Sequence, residues 1–150
     1  METLTLRYDG DPCLRRVSHK VKYFDEPLNV LLGEMRRIIK TENGVGLAAP
    51  QVGVNTRVIL VIDNDITEMI NPEITWTSSE FVMMEEGCLS VPDHYIDIER
   101  PREIKVKFQT RDGKYKKWKL KGLQARIVLH EVDHLDGKLM TDYELSLIHI

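Results

Sequence analysis

The chain has 150 residues, 42% of them hydrophobic and 30% charged, with a formal net charge of −3 at pH 7. That size fits one sizeable core, so a single domain over residues 1–150 is expected. No apolar run approaches the roughly 18 residues that span a bilayer, and the opening METLTLRYDGD lacks the basic and apolar regions of a secretory signal. A cytoplasmic protein without membrane association is expected.

Cys13, in GDPCLRR, has no ligand pattern around it and reads as a small core residue. DEPLNVLLGEMRRIIKTENG then reads as a long helix near the N-terminus. Asp25 is placed as N-cap, Pro27 in the first turn and Asn43-Gly44 at the end. Leu28, Leu31, Leu32, Met35, Ile38 and Ile39 recur at helical spacing and form its core face.

GVGLAAPQ, residues 44–51, follows. Read alone it is a helix-ending turn, because no GK[ST] accompanies its glycines. TRVILVID is a short apolar run suited to a buried strand. EMINPEITWTS and EFVMMEEGCLSV are further extended segments, with Pro72 forcing an edge or a bulge. EIKVKFQT alternates Ile104, Val106 and Phe108 inward with charges outward; RDGK turns, and YKKWKLKG returns as a hairpin.

From Arg100 to Lys121 there are ten Lys or Arg against Glu103 and Asp112, a local charge of +8. The alternation makes these lysines the solvent side of the hairpin, and such a face can also meet a polyanion. LQARIVLHEVDHLDG closes the series as a helix ending near Gly137. Strand runs and hairpins between two helices predict an α+β fold: antiparallel sheets around the second helix, with the first long helix near the N-terminus.

Within that last helix, His130 and His134 lie one turn apart on one face, where both imidazoles reach one ion. Glu131, about 100° round the helix, can take a proton from water at that ion without binding it. Ile127, Val128 and Leu135 give the helix a buried side, where unpartnered histidines would cost desolvation. Asp133 and Asp136 are candidates to fix an imidazole tautomer, although Asp136 reads better as an exposed helix end. Downstream, KLMTDYELSLIHI offers Asp142, Glu144 and a penultimate His149, but no second long helix to present them. The natural third ligand lies upstream: Cys88, in EEGCLS. One thiolate and two imidazoles leave a position open, as catalytic sites require.

GVGLAAPQ, EEGCLS and LHEVDHLDG, in this order, closely resemble the three signature motifs of the peptide deformylases. The resemblance runs from GDPCLRR to DHLDGKLMTDY. It implies a metal-dependent hydrolase that removes the N-formyl group from the formyl-methionine of new polypeptides and releases formate. Cys88, His130 and His134 would hold one divalent ion. Ferrous iron is expected as the native metal, with zinc, nickel or cobalt able to replace it. Glu131 would move the proton, and the Gln51 side-chain amide and Leu89 backbone N–H would stabilise the oxyanion. Val45, Gly46 and Gly87 would contact the peptide backbone in an extended mode, and Ile127 is placed as a lining residue of the methionine pocket.

The sequence also departs from many members. Leu129 stands where glutamine often precedes the first histidine. Tyr95 stands where an arginine often holds the distal part of the substrate. Only seven residues follow Tyr143, where many relatives continue into a C-terminal helix linked to ribosome docking. LSLIHI is read as a short extended piece, and the basic 100–121 surface becomes the candidate ribosome contact. Formylated nascent chains are the expected partners, with no DNA and a monomeric state. A structural metal module would need neither Glu131 nor Gln51. An endopeptidase would cleave internal bonds and ignore formyl-methionine.

Overall fold

The computed structural model describes residues 3–148, with side-chain surroundings through residue 144. His149 lies outside the described residues. A long helix α1, Glu26–Thr41, is followed by strands β1, Gly46–Ala48, β2, Val58–Asp63, β3, Asp65–Thr77, β4, Phe81–Cys88, and β5, Val91–Pro101. The hairpin strands β6, Glu103–Gln109, and β7, Tyr115–Lys121, lead into α2, Leu123–Leu135, and α3, Thr141–Ile148.

Five strands form one sheet in the order β1-β2-β3-β6-β7, and β4 pairs with β5 as a separate two-stranded ribbon. All these pairings are antiparallel. Strand periodicity explains the layering. On β2, Val58 and Leu60 join the α1 core with Leu32, Met35 and Ile39. Ile59 and Val61 turn the other way and pack with Ile104, Val106 and Phe108 and with Ile127 and Val128 of α2. A strand buried on both faces has to read as an uninterrupted apolar run, which VILVI does. The sheet thus lies between α1 and α2, and α2 also touches β5 of the ribbon. The α+β reading, with the histidine helix central to two antiparallel sheets, holds.

Local details refine the expectations. Asp25 sits at the N-cap of α1, but its side chain makes no capping bond; only its carbonyl receives Asn29 N–H. Pro72 falls in a register shift between Ile70 and Glu73. Since β3 has neighbours on both sides, the proline is accommodated by a bulge and not by an edge. The segment from Leu145 to Ile148, read as extended, belongs to α3.

Gly137 ends α2 with φ +75, and a Cβ there would lie 2.6 Å from the Arg15 carbonyl oxygen. Left-handed backbone and a backbone neighbour that cannot move leave room for glycine alone. Gly137→Ala is expected to lower unfolding free energy by about 1–3 kcal/mol, read by urea denaturation. An unchanged midpoint would contradict this packing.

Candidate metal centre

Cys88 ends β4 just past a register shift between Gly87 and Cys88. A bulge re-aims a side chain that regular alternation would point elsewhere. Here it brings Cys88 Sγ to 3.4 Å from His134 Nε2. The ligand atoms of Cys88, His130 and His134 all lie within 4.8 Å of one another. Three soft or borderline donors so close suit one first-row divalent cation. His134, almost fully buried, is held well below its usual range by that burial, so it is a neutral imidazole.

The second carboxylate of EEGCLS orients the site. Glu86 is buried in β4, and its Oε1 lies 2.8 Å from His130 Nδ1. With a proton on Nδ1, the ring keeps Nε2 free as a ligand. Glu86 also accepts from Arg100 at 2.6 and 2.9 Å and from Arg126 Nη1 at 2.5 Å. Burial disfavours its charge, but the His130 and Arg100 hydrogen bonds outweigh that and hold Glu86 down at about 2.

The Asp133 expectation is therefore corrected. Its Oδ2 accepts from Arg100 at 2.9 Å and from the Tyr143 hydroxyl at 2.7 Å, and among the described residues it orients no imidazole. Asp133 reaches His130 only through Arg100 and Glu86. Asp136 is the exposed helix end, paired with Arg57 at 3.0 Å.

Glu131 is buried beside the ligands. Among the described residues its Oε1 has no hydrogen-bond partner, and burial pushes the carboxyl up to about 7. A Cβ at Gly46 would strike the other Glu131 carboxylate oxygen and come within 2.9 Å of Ile127 Cγ2. That contact, and not helix termination, is what makes the second glycine of GVGLAAPQ necessary. Gln51 stands in a short 3₁₀ turn, Ala49–Val52, with its amide fixed at both ends. Oε1 accepts from Ala48 N–H at 2.9 Å, and Nε2 donates to Ser90 Oγ at 3.1 Å and faces Cys88 Sγ at 3.7 Å.

Val45, Gly46, Gln51, Gly87, Cys88, Leu89, Tyr95, Ile127, His130 and Glu131 line one cavity of about 520 Å³. The structure therefore brings the sequence-derived residues to a single place, with His134 buried beneath them. Sequence reading missed Glu86, Arg100 and Arg126. Arg126, His130 and His134 recur every four residues along α2, a stripe that marks Arg126 as inward-facing. Arg100, counted in the basic stretch, is buried and does not belong to that surface.

The profile of the polypeptide deformylase family matches residues 3–147. A peptide deformylase of Dictyoglomus thermophilum is 48% identical over 139 residues, covering 91% of this chain and 90% of its own. That of Synechocystis is 42% identical over 146 residues, covering 93% and 78%. Among solved structures, peptide deformylase from Thermotoga maritima superposes with a TM-score of 0.92 at 41% identity, covering 95% of this chain and 98% of its own. A probable peptide deformylase from Synechococcus phage S-SSM7 gives 0.89 at 49% identity, with 93% and 99% covered. This chain belongs to the polypeptide deformylase family, hydrolases that remove the N-formyl group from newly made polypeptides.

Proposed function

We propose that Cys88, His130 and His134 hold one ferrous ion and that residues 1–150 act as one catalytic domain on formyl-methionyl chains. The observation that carries this is the three-donor cluster beside a buried carboxylate with an oxygen unpartnered among the described residues. A divalent ion held there supplies the Lewis acidity that lets water lose a proton near neutral pH. Glu131 accepts that proton at its carboxylate and returns it to the leaving amine nitrogen. Gln51 Nε2 and the Leu89 N–H stabilise the formyl oxygen as charge develops on it.

Val45, just before β1, Gly46, at its start, and Gly87, in β4, lie along the cavity that receives the extended peptide. The bare Cα of Gly46 lets that backbone approach without displacing Glu131. The methionine side chain packs toward Ile127, and Tyr95 lies over the following residues. Ni²⁺, Co²⁺ and Zn²⁺ occupy the same donors.

Formate release from a formyl-Met tripeptide tests the reading. Protein loaded anaerobically with Fe²⁺ is expected to outperform the zinc form and to lose activity in air. Indifference to both would overturn the iron assignment. Cys88→Ala is expected to lose the metal as well as turnover.

The enzyme acts in the cytoplasm as a monomer; no helix among the described residues is long and apolar enough to cross a membrane. Lys116, Lys117 and Lys119 stand exposed on β7 and contact the ribosome. Co-sedimentation with ribosomes that survives charge reversal at all three would overturn that role.

A further inference from the structure

We propose that the side of the five-stranded sheet opposite α2 is a platform for single-stranded RNA, where bases stack on Trp76 and Tyr115 and phosphates meet the lysines of β6 and β7. The inference rests on the ribosome reading for its setting and deepens it, naming the partner as RNA and the face that holds it. Directly paired residues share a face, so the register sorts the hairpin into two sides. Ile104, Val106 and Phe108, with their partners Leu120, Trp118 and Lys116, turn toward α2. The other side carries Lys105 opposite Lys119, Lys107 opposite Lys117 and Gln109 opposite Tyr115. On that side α1 packs over β1, β2 and β3 as far as Ile70. Past its cover, Lys105, Lys117, Lys119 and Lys121 stand exposed.

Trp76 joins them through a bulge. Ile74 pairs with Val106 and packs toward α2, and regular alternation would send Trp76 the same way. A register shift between the two sets Trp76 opposite Lys105 instead, on the lysine side and 41% exposed. There the Nζ atoms of Lys105 and Lys119 stand 5.5 and 5.6 Å from the centre of its ring. Tyr115, also exposed, has Lys107 Nζ 4.6 Å from its ring centre. Along β6 the two rings belong to the rows of Lys105 and Gln109, about 13 Å apart. Lys107 and Lys117 fill the row between them.

A merely solvated edge does not need this arrangement. Like charges directly opposite one another destabilise a sheet, yet successive rows here pair lysine with lysine. Among the described residues Lys119 alone of this group forms an ion pair, with Glu103 at 4.0 Å; Glu73, opposite Lys107, is the other acid of the face. The chain as a whole carries −3, so the positive patch is a local feature of this side. A bound polyanion relieves its repulsion. Lysines alone would suit any polyanion, an acidic protein included, but the rings favour RNA. Every base has a face that stacks on an indole or a phenol, and unpaired RNA presents those faces where a duplex hides them. With an ammonium beside each ring, a stacked base brings its phosphate to a lysine already in place.

The test is fluorescence anisotropy of a labelled oligouridylate of about twelve nucleotides, titrated with the metal-loaded enzyme. Binding is expected at low salt, with a log–log salt slope of about −3, as for about four phosphates neutralised on a single strand. Trp76→Ala is expected to weaken binding by about tenfold and to leave the slope unchanged. Lys117→Ala with Lys119→Ala is expected to cut the slope to about half, and Lys116→Ala, on the α2 side, to change neither quantity. All these variants should keep wild-type formate release, because the face lies across the sheet from α2. Undetectable binding, equal competition by polyglutamate, or a Trp76→Ala variant that binds like wild type would overturn the proposal. RNA binding without ribosome co-sedimentation would leave the platform standing and remove the ribosome contact; co-sedimentation without RNA binding would do the reverse.

Discussion

Glu131→Gln is expected to leave the protein folded and fully loaded with metal while formate release falls by at least about 10²-fold. The substitution keeps the volume of a side chain packed against the bare Cα of Gly46, as Ile127 also is, so packing is preserved. It removes the carboxyl proposed to exchange a proton between water and the leaving amine. Glu131 suits that work because burial raises its carboxyl to about 7, near the pH at which a single group accepts and returns a proton with least loss. Metal content by elemental analysis, measured on the same sample as turnover, separates this role from a ligand role. A variant that loses its metal, or one that keeps more than a tenth of the activity, would disprove the assignment.

Glu86→Gln is expected to have the largest effect on stability. The carboxylate neutralises two buried guanidiniums, Arg100 and Arg126, and holds the His130 ring. Removing its charge leaves Arg126 without a carboxylate among the described residues and Arg100 with Asp133 alone, a loss of about 3–5 kcal/mol by analogy with broken buried pairs. His130 also loses its orienting acceptor, which weakens metal binding by about 10–100-fold. Urea unfolding and competition with a chelator read the two effects separately.

The pH dependence follows the same group. Glu86 is depressed from an ordinary value of 4.5 to about 2 in the folded protein. Its contribution is therefore complete above about 4.5 and is lost as pH falls from there toward 2. Wild-type stability should drop steeply across that window. Glu86→Gln, weaker at neutral pH, should show a shallower acid limb. Parallel acid limbs in the two proteins would count against the network.

Much of this was legible along the chain because it depends on short-range periodicity. The i, i+3, i+4 recurrence from Leu28 to Ile39 dictates a helix with one apolar side wherever it packs. VILVI dictates a strand covered on both faces, and alternation with an Asp-Gly turn dictates the β6–β7 hairpin. His130, Glu131 and His134 sit on one short stretch of helix, so their mutual placement follows from 3.6 residues per turn. The lack of a downstream ligand pointed to Cys88, and the family signature added Gln51 and Leu89, which periodicity alone does not assign.

Only the tertiary structure decided what crosses the chain. Cys88 is 46 residues from His134, and their meeting depends on a bulge whose direction no local pattern encodes. The choice of Glu86 over Asp133 as partner of His130 turns on which face of β4 meets α2. Both carboxylates were available by composition, and burial beside Arg100 and Arg126 selected one. Local sequence determines the elements because backbone geometry repeats within a few residues. Which charged side chains are buried together is set by how those elements dock, since only contact across them can repay desolvation.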